Sequence, residues 1–127
     1  MAIFVQNIER ETRENLNFRK VLATNGHSQL VVMSLKPREE IGMEVHKNTD
    51  QFLRIESGVG QAILDGRVYE ISDGFAVIVP AGTNQNIVNA SDTEEMKLYT
   101  IYSPAEHKDG TIHRTREEAV ADENDHI

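Results

Sequence analysis

The sequence contains no cysteine. That absence excludes a disulfide scaffold, a thiolate zinc site, an iron–sulfur cluster and a thiol nucleophile. No apolar run approaches the roughly 18 residues of a membrane-spanning helix. Met1 to Arg10 also lacks the basic, apolar, small-residue order of a signal peptide, so a cytoplasmic protein with no membrane partner is expected. Basic residues are in deficit: Lys plus Arg is 13 against 21 Asp plus Glu, a net charge of -8. A surface of that sign repels a phosphate backbone, and nucleic acid is not an expected partner. Length is limited too. The 127 residues leave room for one domain, residues 1–127, and no second. There is no internal repeat, low-complexity tract or linker.

What the chain does have is short, Val- and Ile-rich stretches bounded by Gly, Asp, Asn and Pro. Leu30 to Leu35, Gln51 to Ile55, Gly60 to Leu64, Val68 to Ile71, Ala76 to Val79, Gln85 to Val88 and Met96 to Ile101 read as strands. Asp65-Gly66 and Asp73-Gly74 supply residue pairs that tolerate positive φ, and Pro80-Ala81-Gly82 closes a strand. Many short strands at regular spacing predict an all-β sandwich or barrel, with its core over about 18–103. The ends differ. The charged stretch from Glu9 to Lys20 reads as a surface segment leading into a strand near Phe18 to Ala23, with a short helix as the competing reading. Ile3 to Ile8 is expected to be a strand that docks on or exchanges with a second copy. Thr115 followed by Glu118 has capping-box spacing, which predicts a short helix over about 116–122.

Without cysteine, polar chemistry rests on histidines, carboxylates and amides. Glu44 and His46 lie two apart and would share one face of a strand. His107 and His113 follow the last predicted strand and read as surface residues; folding back over a barrel mouth is the alternative. Arg54 reads as solvent-facing beside an acidic neighbour, and Tyr99 and Tyr102 as core or rim aromatics.

The order of parts around Glu44 resembles the first motif of the cupin superfamily: Glu44-x-His46, four residues, Gln51, six residues, Gly58. Gly74, Pro80, Gly82, Gln85 and Asn89 match the spacing of that family's second motif. Pro80, Gly82 and Asn89 are assigned to architecture. Arg38 stands where the first glycine is expected, so the turn there should not depend on a positive φ. The resemblance implies an all-β double-stranded β-helix, a jelly-roll barrel, with a short C-terminal helix. It also implies a metal set of Glu44, His46, Gln51 and Gln85 at the barrel mouth, in which only His46 is an imidazole. Such a set would hold a divalent metal (Mn, Fe, Ni or Zn) weakly or not at all, because Gln85 offers a neutral amide where the family has a histidine. The metal-free alternative is a polar network in which Glu44, Gln51 and Gln85 hydrogen-bond to His46 and to water.

A homodimer and a small polar ligand are further implications. Two functions follow from the resemblance, which is nearest to cupins labelled mannose-6-phosphate isomerase-like. One is a metal-dependent, isomerase-like enzyme acting on a small sugar or keto acid, with Glu44 or His46 as the catalytic base. The other is a non-catalytic small-molecule binder or sensor.

Overall fold

Burial alternates residue by residue over Arg19–Thr24, residues 50–55 and Ala76–Val79, as a strand with one inward face requires. The structure, a computed structural model, describes residues 2–126. In chain order its elements are α1 (Ile8–Glu14), β1 (Arg19–Thr24), β2 (Gln29–Leu35), β3 (Glu44–Val45), β4 (Asp50–Ser57), β5 (Val59–Leu64), β6 (Arg67–Ser72), β7 (Ala76–Val79), β8 (Asn84–Asn89), β9 (Met96–Ser103), β10 (Ile112–His113) and α2 (Arg116–Ala121). They form two antiparallel sheets, ordered β10-β1-β2-β9-β4-β7 and β3-β8-β5-β6. This is the jelly-roll arrangement expected, with a short C-terminal helix. Between the sheets lies a core that includes Met33, Leu35, Leu53, Ile55, Ile87 and Leu98, all within 1% of complete burial.

Three glycine-dependent features shape the barrel. The chain passes from β4 in one sheet to β5 in the other through Gly58 at φ +106, where a Cβ would come within 2.9 Å of the Met96 backbone. At Gly60 a Cβ would lie 2.3 Å from the Val88 carbonyl oxygen, so the close approach of β5 and β8 there requires glycine. Gly82 sits at φ +87 in the turn after Pro80, and its N–H donates to the His46 carbonyl at 2.8 Å. Asn89 is fully buried, donates to the carbonyls of Leu35, Lys36 and Glu94, and accepts from Ser91 N–H. These contacts make Asn89 a staple between β8 and two neighbouring loops.

Three expectations are corrected. The stretch after Asn7 is the helix α1, the competing reading: Asn7 Oδ1 accepts from Arg10 N–H at 3.0 Å, and Glu9 and Glu11 stand in the first turn, where acidic residues favour the helix dipole. Ile3 to Ile8 is not a strand. Residues 2–5 have no regular structure, Ile3 and Val5 are 91% and 87% exposed, and Ile8 opens α1. Arg38 does adopt positive φ, at 66°, with its guanidinium bonded to Asp92 and its N–H to the Ser91 carbonyl. Those contacts hold the residue in a conformation that residues other than glycine rarely adopt.

Candidate functional site

The two-residue strand β3 pairs with β8 so that Glu44 faces Gln85. Directly opposed residues project to the same side of a sheet, which sets the half-buried Glu44 carboxylate beside the buried Gln85 amide. His46 follows at the end of β3. Its ring is held from three sides: Nε2 is 3.1 Å from Glu44 Oε1, Nδ1 is 2.5 Å from Glu106 Oε1, and Tyr102 packs edge-on at 5.7 Å. Burial of the ring opposes its charged form. The hydrogen bonds and charges of Glu44 and Glu106 outweigh burial together, and the His46 pKa is raised.

Gln51 lies on β4 opposite Tyr102 of β9 and Val79 of β7, so it shares the inward face with the ring that packs on His46. Its amide Nε2 donates to Thr100 Oγ1 at 3.0 Å, and that hydroxyl donates to the Phe52 carbonyl. Gln51 Oε1 is buried and has no hydrogen-bond partner. The expected network is therefore only partly formed. Glu44 bonds His46, whereas Gln51 bonds Thr100 and leaves its oxygen unspent.

His107 and His113 are not the surface residues expected. His107 is 1% exposed and His113 is 3% exposed, because the chain folds back over the interior. Gln29 at the start of β2 anchors this return: its Oε1 accepts from the N–H groups of Glu106 and His107, and its Nε2 donates to the His107 carbonyl at 2.7 Å. His107 Nδ1 donates to Asp125 Oδ2 at 2.8 Å, and its Nε2 lies 3.4 Å from the Tyr102 hydroxyl. Burial, followed by the positive charge of Arg19 and of neighbouring histidines, pushes His107 down to about 2, so the ring is neutral. Burial raises the Tyr102 phenol above its ordinary range, which keeps the proton on that hydroxyl. His113 Nδ1 accepts from Arg19 Nη1 at 3.2 Å, and its Nε2 donates to Asp122 at 3.1 Å. That bond, and one from Asn124 N–H, hold the Asp122 carboxyl below its usual range.

His107, Asp125 and His126 also form a cluster whose ligand-capable atoms lie within 4.8 Å of one another. Asp125 Oδ1 is 3.1 Å from His126 Nε2 but out of line with it, and is left without a hydrogen bond. Arg19 Nη1 stands 3.9 Å from Asp125 Oδ2, a positive charge that weighs against a cation there.

The family model described as a cupin domain matches residues 31–102, more than half of the chain. This chain belongs to the cupin family. It is 44% identical to the uncharacterized protein YrkC of Bacillus subtilis (strain 168) over 95% of this chain and 68% of that protein. It is 43% identical to an uncharacterized protein of Acanthamoeba polyphaga mimivirus, over 87% of this chain and 71% of the relative. A crystal structure of a Bacillus halodurans protein superposes with a TM-score of 0.90 at 42% identity, covering 94% of both chains.

Cupins often bind a divalent metal, and the donors of this cupin fit one. Glu44 Oε1 and His46 Nε2 are separated by 3.1 Å, a spacing two ligand atoms of one ion can share, and Gln51 Oε1 is a buried acceptor with nothing to accept. Glu106 on His46 Nδ1 holds the ring from its other side, the position an outer carboxylate takes on an imidazole that ligates a metal. Sequence reasoning missed Glu106, Gln29 and Asp125. The density of His and Asp after the last strand pointed to the segment of Glu106 and Asp125 and reads equally well as a solvated tail, and no signal in the sequence singled out Gln29.

Proposed function

We propose that this cupin holds a divalent cation through Glu44 and His46, with Gln51 and Gln85 completing the set, and works on a small polar, oxygen-rich molecule. The observation that carries this reading is the unspent Gln51 oxygen on the same inward face as the ring packed against His46. An isomerase-like reaction on a sugar or keto acid, as the mannose-6-phosphate isomerase-like label suggests, is the activity that suits the donors. A bound ion would supply Lewis acidity toward a carbonyl oxygen. Glu44, 31% exposed and on a cavity wall, is the group placed to take or return a proton. Glu106 holds the His46 ring in place.

A second reading, a metal-free binder, is favoured by one feature: both His46 nitrogens already have carboxylate partners. Calorimetric titration with Mn²⁺ and Ni²⁺ separates the two. Wild type should take up Mn²⁺, His46→Ala should abolish uptake, and Gln85→His should raise Ni²⁺ affinity at least ~10-fold, because it restores a nitrogen donor. Uptake by Gln85→His alone would establish the metal-free binder; equal affinities for wild type and Gln85→His would remove Gln85 from the set.

The proposal includes a homodimer. Ile3 and Val5 stand exposed, as does Ile78 on β7, an edge strand whose free backbone groups can pair with another chain. Sedimentation at micromolar concentration should show a dimer that deletion of residues 1–8 weakens; a monomer would count against it.

A further inference from the structure

A cavity of about 260 Å³ opens between α2 and the barrel, with Glu44 on one wall and Arg19, Arg116 and His126 on the others. Its two arginines are unusually idle for a chain in which acids outnumber bases 21 to 13. Arg19 is 6% exposed, yet among the described residues its guanidinium makes one hydrogen bond, to His113 Nδ1. Its nearest carboxylate, Asp125, is 3.9 Å away and already accepts from His107. Arg116 has neither a hydrogen bond nor an ion pair among the described residues, and the Nε of each arginine is buried without a partner.

The buried Arg19 guanidinium carries five donors and a charge that must be compensated, and Arg116, lining the same cavity, adds a buried Nε without a partner, so this deficit calls for an acceptor. Both side chains are held in place. Arg19 stacks over the Phe18 ring at 5.3 Å, and a Cβ on Gly42 would come within 3.0 Å of Arg116 Nη2, so the missing side chain leaves the arginine its space. Of the carboxylates on the wall, Glu44 is engaged by His46 and Asp122 by His113, while Glu123 is exposed to solvent.

We infer that Arg19 and Arg116 form an oxyanion subsite, and that the ligand of this cupin is a small molecule bearing a carboxylate or phosphate at one end. The planar fork of a guanidinium matches either group bidentately. The inference rests on the proposed function in one respect only: the opposite end of the ligand would then face Glu44 and the cation. The cavity is smaller than a drug-sized site, which limits the ligand to the scale of a keto acid or a phosphorylated sugar.

The test is an NMR titration in chelator with two probes, inorganic phosphate and pyruvate, applied to wild type, Arg116→Gln, Arg116→Lys and Arg54→Ala. Arg116 is the residue to change because it is only partly buried on a six-residue helix. Wild type should bind at least one probe saturably, with amide shifts centred on residues 41–44 and 116–126. Arg116→Gln should weaken binding at least ~10-fold and Arg116→Lys less, with Arg54→Ala, an arginine outside the cavity, within about 2-fold of wild type. Saturation by phosphate alone points to a phosphorylated ligand, and saturation by pyruvate alone to a carboxylate. No saturable binding of either probe, or equal binding by wild type and Arg116→Gln, overturns the inference. Failure of the cation reading would look different: anion binding intact with no Mn²⁺ uptake.

Discussion

The inward faces of β2, β4 and β9 differ at their two ends, although burial does not. At one end stand Leu35, Met33, Ile55, Leu53, Met96 and Leu98; at the other stand Gln29, Gln51, Thr100 and Tyr102, none more than 3% exposed. The apolar end needs only volume and shape to be stable. Each polar atom at the other end needs a named partner, and where one is missing the structure has an unspent group. Gln51 Oε1, Asp125 Oδ1 and Arg19 Nε are such groups. Apolar packing is therefore concentrated at one end of the barrel, and unpartnered polar groups at the other, where the proposed site lies.

The sharpest test of that division is Leu98→Ala. It should cost about 3 kcal/mol in chemical denaturation by leaving a cavity, while Mn²⁺ uptake and anion binding per folded molecule stay unchanged. Loss of binding together with stability would break the comparison, because it would couple the two ends. Gln29→Leu is the counterpart at the polar end. It removes the acceptor of two buried N–H groups and the donor to the His107 carbonyl, so a loss of about 2 kcal/mol is expected. The same variant should exchange amide hydrogens faster over residues 104–126, which hydrogen-exchange mass spectrometry reads directly.

Acid should also act first on the polar end. His107 is held neutral with its pKa depressed to about 2, so its contribution is complete above its unfolded value near 6.5. It is lost as pH falls below that value, by at most about 1.4 kcal/mol per pH unit. His46 has the opposite sign: its raised pKa gives a contribution that is complete below about 6.5 and lost as pH rises through the folded value. Replacing His107 by Asn should flatten the acid limb of the stability profile whatever it does to the stability at neutral pH. An unchanged slope would show that another group sets acid sensitivity.

Gly82→Val probes a turn that serves both ends. At φ +87 with open space around it, the residue meets backbone strain and no clash, for a cost of about 1–2 kcal/mol with ligand affinity per folded molecule intact. The smallest effect belongs to Arg54→Ala. The guanidinium is 41% exposed, with Nε 3.2 Å from Glu56, and its removal should move stability by less than about 1 kcal/mol. A larger change would mean that this outward face of β4 is covered by another molecule.

Strands and their turns were legible because each depends on neighbours in sequence. Alternating burial, Asp-Gly pairs and the Thr115 cap, whose Oγ1 accepts from Glu118 N–H at 3.1 Å, are short-range facts. Exposure of Arg54 followed the same alternation, whereas burial of its partner Glu56 departs from it at the irregularity between Ile55 and Ser57. The first helix was harder, since its charged stretch buries only Thr12 and so lacks the apolar stripe by which a helix is read. Arg38 was misjudged because residue preference at one position was allowed to decide a conformation that Asp92 and Ser91 hold from 53 and 54 residues away.

The sequence by itself determined the all-β barrel, its strand positions and the placement of Glu44 beside His46, because a period of two carries that information within a few residues. Only the tertiary structure decided that His46 lies between two carboxylates, that Gln51 keeps an unspent oxygen, and that His107, Asp125 and Arg19 meet inside. Those contacts join positions as distant as Arg19 and Asp125, and burial at such a meeting point is set by how the return of the chain packs over the barrel, which no local pattern encodes.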